Sequence, residues 1–106
     1  MTPLILADEV LMERSKNDSF ATYEFEFKGH QFILNHEIES NHKSNIHRFS
    51  CFINGKLYNF GAGRSTIGGG TFGNWPRIEI DSKIYQFSLH WPGSYGFYGI
   101  RFGVLK

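Results

Sequence analysis

The sequence predicts a mainly β chain, or α+β if one short N-terminal helix is counted, and three observations carry that prediction. From Tyr23 onward apolar and polar side chains alternate, with the two-residue period of strands that bury one face. Turn signals such as Asn54-Gly55 interrupt the alternation, at the spacing of roughly 8–12 residues typical of small antiparallel folds. Aromatics make up 17% of the 106 residues, and eleven are Phe. That supply of large side chains can fill a core without disulfides or metals.

Residues 2–14 read as the helix. Thr2 suits its cap, Pro3 its first position, and Leu4, Ala7, Val10 and Leu11 recur on one side, the helical spacing. Residues 15–19 close it as a polar loop. Strand alternation then begins with Tyr23-Glu24-Phe25-Glu26-Phe27. A two-residue turn at Gly29-His30 sets Phe27 against Phe32, Phe25 against Leu34 and Tyr23 against His36. A second turn at Asn54-Gly55 sets Cys51 against Tyr58 and Phe49 against Phe60. A third, around Ser82-Lys83, sets Ile80 against Tyr85 and Ile78 against Phe87. In a final strand, 96–105, Tyr98, Ile100, Phe102 and Val104 share one face. The expectation is about seven antiparallel strands between residues 22 and 105, a meander, sandwich or barrel-like sheet with the helix packed on it. Residues 1–106 form one domain in this reading. A parallel βαβ fold is excluded because no second helical stretch exists.

Cys51 is the single cysteine, so no intramolecular disulfide can form, and a reducing compartment is expected. The first residues lack a basic leader pattern, and no apolar run approaches the ~18 residues of a membrane span. A soluble, cytoplasmic chain without membrane contact follows as the expectation.

The net charge of +1 conceals a division. Residues 1–40 hold eight acids against three bases, a balance of −5, and residues 41–106 hold two acids against eight bases, a balance of +6. The basic 41–106 segment could meet an anion such as nucleic acid, or the two parts could neutralise each other.

Residues 61–73 carry six of the twelve glycines, with Arg64 among them. Neither phosphate-binding spacing is present, which leaves a surface loop joining two hairpins. His30, His36, His42 and His47 lie six, six and five residues apart, matching no zinc pattern, so neither a metal nor another cofactor is expected. His36 and His47 fall at the far ends of core faces, where a tyrosine or the backbone would satisfy an imidazole. Cys51 reads as a buried, inert thiol.

The sharpest catalytic set lies on outward faces. Arg77, Glu79, Gln86, Ser88 and His90 alternate away from the Ile/Tyr/Phe side, and Arg101 takes the corresponding face of the last strand. Glu79 as base, His90 as acid and Arg77 with Arg101 as anion stabilisers would suffice for metal-independent RNA cleavage. A helix followed by a sheet bearing Glu, Arg and His is broadly similar to the small microbial ribonucleases, in residue types and order of elements alone. The tail from Tyr95 to Phe102 resembles the RNA-binding strand of RRM domains at Gly96, Phe97, Ile100 and Phe102. It departs at Tyr95 and Gly99, and the two helices of an RRM are missing.

Trp75, Trp91 and Tyr95 stand beside Pro76, Pro92 and Gly93, at strand ends where aromatics act as lids, interface anchors or sugar platforms. The leading expectation is a non-enzymatic protein-binding module, of the inhibitor or immunity type. It would use the Gly-rich and Trp-Pro loops, with Arg64, Trp75, Trp91, Tyr95 and Arg101 as contacts. A ribonuclease or nucleic-acid binder using the Glu/His/Arg face is the alternative, and a carbohydrate-binding β domain the third reading.

Overall fold

The computed structural model describes residues 3–15, 18–40, 44–66, 71–90 and 98–105, with the backbone alone for 58–66 and 71–74. Ten antiparallel strands occur among them. They are β1 (Leu4–Ile5), β2 (Glu9–Glu13), β3 (Phe20–Phe27), β4 (His30–Ser40), β5 (Ser44–Ile53), β6 (Lys56–Thr66), β7 (Thr71–Asn74), β8 (Arg77–Ile80), β9 (Lys83–His90) and β10 (Gly99–Val104). They form two five-stranded sheets, ordered β1-β2-β10-β9-β8 and β3-β4-β5-β6-β7. The chain divides accordingly into two compact units, Met1–Lys16 with Arg77–Lys106, and Asn17–Pro76.

The mainly β expectation therefore holds, but the N-terminal helix and the single sheet of about seven strands do not. In the first unit the 2–14 segment contributes β1 and β2. The helical stripe would have buried Leu4 and Ala7 with Val10, yet Leu4 is 38% exposed and Ala7 is exposed. The buried run is instead the consecutive Val10, Leu11 and Met12. They pair with Phe102, Arg101 and Ile100 of β10. An isolated helix of this length is marginal in water. Pairing with β10 satisfies the same backbone groups and sets Val10 and Met12 beside large apolar neighbours, so tertiary pairing overrides the local pattern. Val10, Met12, Ile78, Ile80, Tyr85, Phe87, Ile100 and Phe102 make the buried face. Phe102 packs against Tyr85 and Phe87 of β9, with centroid distances of 5.4 and 4.5 Å. The Tyr85 hydroxyl donates to Asp8 at 3.3 Å. Burial first, and then the charge of Asp8, push that phenol above its ordinary range.

The second unit is a meander. Tyr23, Phe25, Phe27, Phe32, Leu34, Phe49, Cys51 and Ile53 share its buried face with His36 and His47. Its first turn is Lys28-Gly29, both at positive φ, so Phe27 pairs with His30, Phe25 with Phe32 and Tyr23 with Leu34. The β8–β9 turn is likewise Asp81-Ser82, setting Ile80 against Lys83 and Ile78 against Tyr85. Both turns lie one residue before the expected Gly29-His30 and Ser82-Lys83, which moves each pairing register by two residues. A tight turn with two left-handed residues matches the twist of its strands, and a slip of two leaves every side chain on the same face.

The Asn54-Gly55 turn stands as expected, with both residues at positive φ. A β-bulge breaks the register between Cys51 and Phe52, so Cys51 faces Asn59 and Phe49 faces Gly61, rather than Tyr58 and Phe60. The bulge also brings Gly63 opposite His47. Much of the presumed Gly-rich loop is thus strand, since 61–66 end β6 and 71–73 belong to β7.

Candidate functional site

The expected face of the first unit exists as four cross-strand rows. His90, Gly99 and Glu13 form one, and Ser88, Arg101, Leu11 and Leu4 the next. Arg77, Gln86, Gly103 and Glu9 form the third. The fourth is Glu79 with Ile84, continued by Leu105, whose amide donates to the Ile84 carbonyl at 2.7 Å.

Arg101 is the fixed point of this face. Its guanidinium crosses to the neighbouring row and meets Glu9, Nε to Oε2 at 2.6 Å. Gly103 is what permits the crossing, because a Cβ there would collide with the guanidinium. Gly99 serves a different end: a Cβ on it would strike the Met12 carbonyl oxygen, so only glycine lets β10 approach β2 there.

The catalytic quartet is placed on one face but not brought together. Glu79 pairs with Ile84, and His90 lies six residues further along β9, about 20 Å at the rise of a strand. Arg77 sits opposite Gln86, and Arg101 opposite Ser88. Arg101 already has its carboxylate partner in Glu9, whose charge offsets the one proposed to stabilise an anion.

The charge division resolves in part into ion pairs. Arg48 bridges Glu37 at 3.5 Å and Glu39 at 2.8 Å, Lys83 reaches Asp8 at 3.6 Å, and Arg101 reaches Glu9. Three bases of the 41–106 segment thereby face acids of the first forty residues.

Among the predicted contacts, Trp91 and Tyr95 lie outside the described residues. Arg64 pairs with Ile46 and Phe72 by backbone register. Trp75 is half-buried and packs in tilted contact with His47 and Phe49, at 5.7 and 5.4 Å between centroids. It directly follows β7, two strands from β5, a span of about 9.6 Å. The intervening β6 carries Gly61 and Gly63 opposite those two residues, and glycines let the indole lie across.

Beneath that indole lies a pair that sequence reasoning missed. His36 and His47 are fully buried, nearly coplanar at 5°, and joined from Nε2 to Nδ1 at 2.9 Å. One ring must donate and the other accept. Phe49 flanks His36 at 4.7 Å. The missing signal was the β4–β5 register, which sets Ile38 against His47 and His36 against Phe49 and so makes the two imidazoles diagonal neighbours. No group of three or more His, Cys, Asp or Glu placed to hold a metal occurs among the described residues, and no described helix is long and apolar enough to cross a membrane.

Comparison with family models, with curated proteins and with solved structures finds no match.

Proposed function

We propose that this chain is a non-enzymatic protein-binding module that contacts its partner through the Arg101 face of the first unit. The observation that carries the reading is a half-buried arginine, fixed by Glu9 and Gly103, on a face that leaves large apolar side chains open. Ile84 is 46% and Leu105 38% exposed. They are hydrogen-bonded neighbours, and Leu4 is exposed in the Arg101 row. Arginine is enriched in binding hot spots, exposed apolar neighbours add area to bury, and an anchor already held in place loses little freedom on binding.

The test is affinity capture with the intact chain, comparing wild type with Ile84→Asp/Leu105→Asp. Both positions are exposed, so unchanged circular dichroism is expected. A specific protein retained by wild type and reduced about tenfold by two lost apolar anchors supports the reading. Retention of nothing beyond bare resin, or of the same proteins by both forms, overturns it.

A further inference from the structure

The second unit carries a different feature, an edge strand. β3 ends its sheet and pairs with β4 alone among the described strands. It runs eight residues, about 27 Å. Long edges are templates for another strand, and natural sheets guard them with charge. Here Tyr23, Phe25 and Phe27 turn into the core, while Phe20, Thr22, Glu24 and Glu26 point outward and are exposed.

The β3–β4 register sets no base directly opposite these outward acids. Glu24 lies opposite Ile33 and Glu26 opposite Gln31. In this sheet Arg48 engages Glu37 and Glu39 on β4 instead. Thr22 donates to Asn35 at 2.9 Å. Phe20, at the start of the strand, is 56% exposed. The edge therefore presents one large apolar group and two carboxylates at every-second-residue spacing.

We infer that β3 receives an extended segment of another protein bearing lysine or arginine at alternate positions, added as a sixth strand to this sheet. Main-chain bonds would supply the affinity. The alternate basic side chains would meet Glu24 and Glu26, and an apolar one would cover Phe20. A second copy of this chain fits less well. β3 itself holds no base, so no β3–β3 register sets a cation opposite Glu24 or Glu26, and the register that sets Glu24 opposite itself brings like charges together, which is destabilising. This surface lies on the other sheet from Arg101, so it and the protein-binding reading given above can fail separately.

The experiment titrates the full isotope-labelled chain with a short, end-capped peptide alternating lysine and valine. A glutamate–valine peptide is the control, and backbone amide shifts are the readout. Shifts concentrated on Phe20–Phe27 are expected, with the lysine peptide bound roughly tenfold tighter than the glutamate peptide, as two cross-strand charge pairs allow. The Glu24→Lys/Glu26→Lys variant changes two exposed side chains, and it should reverse that preference. Shifts lying elsewhere, equal binding of both peptides, or an unreversed preference in a variant with an unchanged fold would overturn the inference. Loss of the Arg101 face by Ile84→Asp/Leu105→Asp should leave this titration unaltered.

Discussion

A double-mutant cycle on His36 and His47 probes the second unit where it is least ordinary. The two rings are fully buried and share one 2.9 Å bond. Either His36→Leu or His47→Leu removes that bond and leaves the other imidazole facing a side chain that can neither donate nor accept. Losing a hydrogen bond at a buried polar atom costs about 1–3 kcal/mol. The double variant removes both polar rings together, so its cost should fall short of the sum of the two single losses. A coupling of about 1.5 kcal/mol is expected. Urea unfolding of the four proteins measures it. With a slope of about 1.5 kcal/mol per molar, that coupling is a midpoint displacement of about 1 M. Trp75, packed against His47, reports the local environment in the same experiment through its fluorescence. Costs that add to within about 0.4 kcal/mol would refute the idea that the imidazoles act as a hydrogen-bonded unit.

Trp75→Ala should destabilise the chain by about 3 kcal/mol, the low end for losing a core aromatic because the indole is half-buried; a thermal or urea shift worth under about 1 kcal/mol contradicts its reach across β6. Ser82 holds a φ of 67°, a conformation costly to side chains with a Cβ. Ser82→Gly should therefore stabilise by up to about 1 kcal/mol, and a midpoint lowered by the change contradicts the assigned turn. Burial pushes the Cys51 thiol up to about 12 from the ordinary 9.0. The folded state keeps its proton where the unfolded chain loses it. The corresponding stability is complete below about pH 9 and is lost as pH rises toward 12, by about 1.4 kcal/mol per unit. Urea midpoints of wild type at pH 8 and 10 should diverge more than those of Cys51→Val, and parallel behaviour contradicts the burial.

The faces of this fold were legible in the sequence, and the registers were not. Parity alone decides which side of a strand faces inward, so Phe25, Phe49, Phe87 and Phe102 are all buried as expected. Sliding either tight turn by one residue shifts its register by two and preserves parity, and nothing local distinguishes Lys28-Gly29 from Gly29-His30 except which residue accepts positive φ. The helix was misread because Leu4, Ala7, Val10 and Leu11 suit a helical stripe, whereas Val10 to Met12 find their partners some ninety residues away in β10. The glycines at 61 and 63 looked like loop residues. Their reason for being in a strand lies on its two sides, where Phe49 and His47 face them and Trp75 lies across. Placement of Arg77, Glu79, Gln86, Ser88, His90 and Arg101 on one face followed from alternation. The spacing that separates Glu79 from His90, and the Glu9 that engages Arg101, required the order of the strands.

Pairing of β2 with β10 builds the Arg101 face and replaces the helix that the first residues imitate. Cross-strand proton contacts in a labelled sample test it directly. Contacts between Leu11 and Arg101 and between Met12 and Ile100, with slow amide exchange along Glu9–Glu13, are the predicted result. Contacts between residues three apart throughout 4–13, with none to 99–103, would contradict it.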